Sequence, residues 1–222
     1  MPMPPLSLDC LTLTDTGPED LIRSAHRAGL KLVSLWAHPP AIYPKQQLTA
    51  ATASRCAALL ADTGLSVHTV EAVDIASTEA VLSARPALDL GATVGAQSVI
   101  AFHHANPDRS QAADALALLA EEARHRAMSV MLEPIAMGHT RTLTEARALI
   151  AKADADVGIL FDTYHFRRAG GDAAEIAAVE PALIRRVQIN DGLANVPQSE
   201  WLAEVIGERL YPGKGSSHCL IY

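Results

Sequence analysis

Seven short apolar runs recur along this chain of 222 residues, and alanine-rich segments separate them. Successive runs start 25 to 34 residues apart, about the length of a strand followed by a helix. Several runs are almost continuously apolar, as strands covered on both faces must be. Strands alternating with helices predict a parallel sheet with right-handed crossovers. The runs are LSLDCLTL from Leu6, KLVSLWA from Lys31, LSVHTVEAV from Leu65, AQSVIAF from Ala96, SVMLEPI from Ser129, VGILFDTYH from Val157 and IRRVQIND from Ile184.

The segments between these runs carry helix boundaries. Pro18 suits a first helical turn, and Gly29 follows where a glycine commonly ends a helix. A later segment offers Thr142 or Thr144 as the N-cap, with Glu145 in the first turn. The sequence therefore predicts helices between the strands.

The repeated unit predicts an α/β protein with a TIM-type (β/α)₈ barrel, in a single domain over residues 1–222. No GxGxxG follows the first strand, which disfavours a Rossmann fold. No convincing eighth strand or helix follows the last run, so we expect a barrel that ends after about seven βα units, through truncation, a reading-frame change or completion by a partner. Unpaired strands at the open edges predict a homo-oligomer.

Composition narrows the class of protein. Hydrophobic residues make up 49% and charged residues 19% of the chain, which is enough for a folded core. The net charge of −7 argues against nucleic acid as a partner. The chain has no apolar run long enough to cross a membrane and no signal-peptide pattern, and its three cysteines include no CxxC pair. We therefore expect a cytoplasmic protein that handles small molecules.

Polar side chains cluster where the predicted strands end, which is where TIM barrels carry their reactive groups. Glu133 follows the fifth strand, Asp162 and His165 follow the sixth, and Gln188 lies in the seventh. Carboxylates with an amide or imidazole suit Mn²⁺, Mg²⁺, Co²⁺ or, less selectively, Zn²⁺. Each residue also has a structural interpretation: Glu133 could cap a helix or pair with an arginine, and Asp162 with His165 could be a hydrogen-bonded pair.

Four motifs together resemble the sugar phosphate isomerase/epimerase family, the xylose isomerase-like TIM barrel group that includes endonuclease IV. They are MLEPI at 131–135, LFDTYH at 160–165, RRVQINDG at 185–192 and ERLYPGKG at 208–215. The resemblance covers the chain from about the first strand to its end. Residues 216–222, SSHCLIY, depart from the family's continuation, and no residue matches its strand-eight glutamate.

The resemblance implies roles for individual residues. Glu133 matches a glutamate that binds the divalent metal and acts as acid/base, and Asp162 matches a second metal ligand. Gln188 stands where many members have a metal-binding histidine. His165 matches a catalytic histidine that contacts substrate oxygens, and Arg209 matches an arginine that binds substrate. We expect two further substrate contacts from strand ends, at Trp36 and His103.

These observations predict a metal-dependent isomerase or epimerase of a keto-sugar or keto-acid, which removes a proton beside a metal-bound carbonyl. Its substrate would be a small carbohydrate or polyol derivative. A dehydratase or eliminase would begin with the same proton removal and is the main alternative. A catalytically defective relative is a third possibility, because the strand-eight glutamate is missing. DNA repair of the endonuclease IV type fits poorly with the acidic charge.

Overall fold

The computed structural model describes residues 4–215 and contains seven β-strands within them. Six strands fall inside the predicted apolar runs, and the third strand extends one residue beyond its run, to Asp74, so those predictions are confirmed. The strands are β1 (Ser7–Leu8), β2 (Leu32–Trp36), β3 (Ser66–Asp74), β4 (Ser98–Phe102), β5 (Ser129–Leu132), β6 (Val157–Asp162) and β7 (Ile184–Gln188).

Helices follow the strands as the repeated unit predicts. Short 3₁₀ turns lie at Cys10–Thr12, Pro44–Gln46, Pro181–Leu183 and Gln198–Glu200. The last helix continues into a π-helical turn at Glu204–Glu208. The helices are α1 (Pro18–Arg27), α2 (Ala50–Thr63), α3 (Thr78–Ser83), α4 (Arg85–Thr93), α5 (Arg109–Arg124), α6 (Leu143–Ala153), α7 (Thr163–Arg168), α8 (Ala173–Ala177) and α9 (Trp201–Ala203).

The seven strands form one sheet in chain order, from β1 to β7. The pairs β1–β2, β2–β3 and β6–β7 are parallel. Chain order in a parallel sheet is the arrangement that successive βα units build when every crossover has the same hand. An eighth strand is not among residues 4–215, and the segment SSHCLIY lies outside the described residues.

The chain divides into two compact units. The first unit contains the described residues up to Val73, together with Glu79–Ala101 and Leu118–Val130. The second contains Asp74–Thr78, Phe102–Ala117 and the described residues from Met131 onward. The expectation of a single domain over residues 1–222 stays a prediction.

In the first unit, α1 packs against α2 and β2. The buried face of α1 includes Leu21, Ile22 and Ala25, which recur at helical spacing. Pro18 lies in the first turn, and Gly29 follows the helix with a φ of 72°, so both predicted boundary residues are confirmed. A positive φ suits glycine because it has no Cβ.

In the second unit, β6 and β7 pack side by side, and α7 begins directly after β6. Val157, Ile159 and Leu160 of β6 are buried. In β7, Arg186 is buried whereas Val187 is half exposed, because successive side chains of a strand point to opposite faces. The end of β6 and the start of α7 are the elements that position the candidate site.

Candidate functional site

Asp162 connects the site to the fold, because it ends β6 and caps α7. Its Oδ1 accepts hydrogen bonds from the backbone N–H groups of Tyr164 at 2.7 Å and His165 at 3.0 Å. Its Oδ2 accepts from Asn190 Nδ2 at 3.0 Å and from Arg209 Nη1 at 2.8 Å. The fully buried carboxylate is therefore surrounded by four donors.

The charge of Asp162 is stabilised despite its burial. Burial by itself would raise the pKa of Asp162, since a low-dielectric interior disfavours a charge. Arg209, with smaller contributions from His165 and its backbone N–H, opposes burial and holds the pKa below its usual value. Asp162 is therefore ionised near neutral pH.

His165 is buried, and both of its ring nitrogens face hydrogen-bond donors. Its Nδ1 lies 3.3 Å from the backbone nitrogen of Ala136, and its Nε2 lies 3.4 Å from Arg209 Nη2. Because both of these groups can only donate, the two contacts favour opposite tautomers of the neutral ring. Burial, opposed by Asp162, lowers the pKa of His165 to about 4, so the ring is neutral at pH 7. The neutral ring offers one N–H donor and one acceptor nitrogen.

Glu133 follows β5 and faces His165. Its Oε1 lies 3.8 Å from His165 Nε2, and its side chain is 13% exposed, so small molecules can reach it. Ligand atoms of Glu133, Asp162 and His165 all lie within 4.8 Å of one another. The structure thus brings together three of the side chains that the sequence analysis selected.

Gln188 lies next to Asp162 in the sheet. The Cα atoms of the two residues are register partners in the parallel pair β6–β7, so both side chains belong to the same face. That face of β7 also carries the buried Arg186. The role of Gln188 as a metal ligand stays a prediction.

Arg209 reaches the site from the chain segment after α9. Besides Asp162, its Nη2 lies 3.4 Å from His165 Nε2, and its Nε donates to the Val205 carbonyl at 3.2 Å. Its guanidinium also lies 5.2 Å from the centre of the Tyr164 ring. Arg209 is thus oriented by several contacts, and its substrate-binding role stays a prediction.

Tyr164 supports the site through its ring, which contacts the Arg209 guanidinium. No catalytic or binding role was predicted for Tyr164 from the sequence. The guanidinium of Arg168 also lies 5.2 Å from its ring centre. The hydroxyl donates to Glu204 Oε2 at 2.7 Å, and Arg168 forms an ion pair with the same carboxylate at 2.6 Å. Burial, together with Glu204, raises the pKa of Tyr164 to about 12. The segment that carries Arg209 is therefore anchored to α7.

Asp191 organises the PGKG loop next to Arg209. Its Oδ2 accepts from the backbone N–H groups of Gly213 and Gly215 at 3.1 and 2.9 Å. Asp191 and Leu210 also exchange two backbone hydrogen bonds. A Cβ at Gly215 would collide with the Gly192 carbonyl, which explains the final glycine of the motif. The acid of the INDG motif thus orders a loop.

His103 and Trp36 are the two remaining residues for which the sequence predicts substrate contacts. Both ring nitrogens of the fully buried His103 are engaged, with Thr140 Oγ1 at 3.0 Å and with the Asn106 carbonyl. These contacts favour a role in joining two loops of the second unit. Trp36 ends β2 in the first unit, and its buried indole nitrogen makes no hydrogen bond within residues 4–215. Both substrate contacts stay predictions.

The donor set fits a hard divalent cation. Two carboxylates, Glu133 and Asp162, supply oxygen atoms of the kind that Mn²⁺ and Mg²⁺ prefer. Asn190 adds an amide oxygen, Oδ1, which is buried and accepts no hydrogen bond among the described residues. A buried acceptor of this kind is expected to meet a donor or an ion. The chemistry of the site is thus compatible with a bound metal, whose identity it does not specify.

A second group of possible ligands lies in the first unit. Ligand atoms of Asp9, Cys10 and Glu71 are within 4.8 Å of one another. Asp9 caps a 3₁₀ turn through Leu11 N–H, and the Cys10 thiol lies 3.8 Å from its carboxylate. Local turn formation thus explains the position of Asp9. Glu71 lies in β3, about sixty residues along the chain from this pair, so no short sequence motif connects the three.

Comparison with known proteins establishes the family. The profile of the xylose isomerase-like TIM barrel family matches residues 22–221, and the chain belongs to this family. A comparison of the sequence with proteins of curated function finds no significant match. The resemblance stated from the four motifs is confirmed.

Solved structures with the same fold cover most of the chain. A xylose isomerase domain containing protein from Salmonella typhimurium LT2 has a TM-score of 0.80 at 18% identity, over 96% of this chain and 81% of its own. The IolI protein with a bound zinc atom has a TM-score of 0.80 at 15% identity, over 97% and 83%. An L-ribulose 3-epimerase has a TM-score of 0.67 at 18% identity, over 87% and 73%. These likenesses confirm the TIM-type fold class.

Proposed function

We propose that this protein is a metal-dependent isomerase or epimerase of a small keto-sugar or keto-acid. The observation that carries the proposal is the grouping of Glu133, Asp162 and His165 within 4.8 Å, with Glu133 partly exposed. A solvent-reachable carboxylate beside a buried carboxylate and a neutral imidazole is suited to holding a polar substrate and moving a proton. The family membership and the zinc in the IolI structure support the same proposal.

Each residue has a distinct task in the proposed reaction. Glu133, Asp162 and Gln188 would hold the divalent metal, which polarises the substrate carbonyl when bound. Glu133 removes the proton from the adjacent carbon, and its delivery to the other carbon of the resulting enediolate gives the isomer, whereas epimerisation needs a second acid on the opposite face. The His165 ring forms a hydrogen bond with a substrate hydroxyl, and Arg209 holds another oxygen. The buried, ionised Asp162 keeps the site's geometry constant through its backbone hydrogen bonds.

Proton exchange at a carbon next to a carbonyl tests this function. The protein with Mn²⁺ is incubated in D₂O with a panel of ketoses and keto-acids, and deuterium incorporation is followed by NMR. We expect exchange with at least one substrate, and a loss of about 10²- to 10⁴-fold in Glu133→Gln, because a general base contributes that much. Glu208→Gln, which removes an acid near Arg209, is the matched control and should retain exchange.

The products of the same experiment separate the outcomes. An exchanged but otherwise unchanged or epimerised substrate supports the proposal. A product that has lost water or another leaving group would assign the protein to the lyases. An absence of exchange with every substrate would contradict the proposal and favour a catalytically defective relative.

A further inference from the structure

The carboxylate of Asp162 has no acceptor position left in this structure. A carboxylate offers about four lone-pair positions, two on each oxygen. The Tyr164 and His165 N–H groups occupy Oδ1, and the Asn190 and Arg209 side chains occupy Oδ2. A metal ion bound to Asp162 must therefore replace one of these four hydrogen bonds.

The four donors differ in how readily they can be replaced. The two backbone donors belong to the first turn of α7, so losing either would uncap the helix. The amide of Asn190 is neutral, and an incoming cation does not repel it strongly. The Arg209 guanidinium is a cation 2.8 Å from Oδ2, and a divalent ion at the same oxygen would repel it. Arg209 is the donor that a metal would displace.

We infer that Arg209 acts as an internal cation that competes with the divalent metal for Oδ2 of Asp162, so that metal binding releases its guanidinium for substrate. This inference rests on the proposed metal-dependent function and concerns the regulation of the same site. The competition sets an order of binding, in which the metal precedes the substrate.

The remaining contacts of Arg209 allow it to leave Asp162 without leaving the site. Its Nε bond to the Val205 carbonyl and its position over the Tyr164 ring do not involve Nη1. Glu204, which is paired with Arg168, accepts a hydrogen bond from the Tyr164 hydroxyl and holds the ring in place. The guanidinium therefore stays beside His165, where a substrate oxygen would bind.

Mn²⁺ binding, measured by electron paramagnetic resonance of the free ion, tests the competition without any substrate. We expect Arg209→Gln to bind Mn²⁺ at least about tenfold more tightly than the wild type, because the competing charge is gone. Arg209→Lys keeps the charge and should bind Mn²⁺ about as weakly as the wild type. Arg141→Gln removes a charge from a small pocket that Asp162 also lines, and this variant should stay within about threefold of the wild type.

The outcomes separate this inference from the proposed function. Equal Mn²⁺ affinity of the wild type and Arg209→Gln would overturn the competition and leave the metal-dependent function standing. An absence of Mn²⁺ binding in both proteins would overturn both. If Arg209→Gln is unfolded without metal, its thermal denaturation with Mn²⁺ decides: recovery of a folding transition supports the competition, and no recovery overturns it.

Discussion

At the scale of single residues, the site depends on compensation of buried charge. Glu204 is 1% exposed and accepts hydrogen bonds from Arg168, from the Tyr164 hydroxyl and from the Leu193 backbone. Such a carboxylate is tolerated in the interior because its desolvation is offset by a charged partner and by hydrogen bonds. The Glu204 carboxylate fixes the Tyr164 hydroxyl through a hydrogen bond, and the Tyr164 ring in turn contacts the Arg209 guanidinium.

Removing the charge of Glu204 should be costly. In Glu204→Gln, the nearly buried Arg168 loses its counter-charge, and we expect the free energy of unfolding to fall by about 3 kcal/mol. Glu200→Gln, at an exposed position on the preceding turn, should change it by less than about 0.5 kcal/mol. Urea denaturation at pH 7 measures both, and similar effects of the two substitutions would contradict the structural role of Glu204.

At the scale of secondary-structure elements, the helix boundaries are set by local chemistry. α6 begins with a capping box, in which the Thr142 side chain accepts from the Glu145 backbone and Glu145 accepts from the Thr142 backbone. The sequence allowed either Thr142 or Thr144 as the cap, and the structure selects Thr142. The following Leu143 is buried, so capping at Thr142 directs the apolar face of the helix inward.

The two threonines provide a matched pair of variants. Thr142→Ala should reduce the free energy of unfolding by about 1 kcal/mol, because the first turn of α6 loses its side-chain acceptor. Thr144→Ala removes the same atoms from an exposed position and should stay within about 0.5 kcal/mol of the wild type. Chemical denaturation compares them, and an equal loss in both variants would refute the selection of Thr142.

At the scale of the whole molecule, the free energy of unfolding should fall at acid pH because Glu122, in the first unit, becomes protonated. Hydrogen bonds from Arg85 and then Arg126 lower the pKa of Glu122 from 4.5 to about 2, against the opposing effect of burial. A carboxylate whose pKa is lower in the folded state binds a proton more readily when unfolded. Its stabilisation is therefore complete above about pH 4.5 and is lost as the pH falls towards 2.

We expect Glu122→Gln to be less stable than the wild type at pH 7 and nearly as stable as the wild type near pH 2. The reason is that protonation removes the charge of Glu122 in the wild type as well. Glu121→Gln, at the exposed neighbouring position on α5, should follow the wild type throughout. Denaturation series between pH 7 and pH 2 measure the difference, and a constant gap between wild type and Glu122→Gln would contradict the linkage.

Two expectations about the whole molecule stay predictions. None of the helices within residues 4–215 is both long and apolar enough to cross a membrane. A cytoplasmic location is untested, and so is the homo-oligomer. Exposed apolar side chains of the second unit, Val187, Leu202 and Tyr211 among them, are compatible with association.

The amino-acid sequence by itself determined the seven strands, the ends of α1, the start of α6 to within two residues, the family, and the selection of Glu133, Asp162 and His165. These features depend on short-range patterns, which are apolar periodicity, caps and motif residues at fixed spacing. Only the tertiary structure decided that Arg209 pairs with Asp162, that two guanidinium groups contact the Tyr164 ring, and that Asp191 orders the PGKG loop. Arg209 and Asp162 are 47 positions apart, and such pairings follow from how β6, α7 and the segment after β7 pack, which no local pattern specifies.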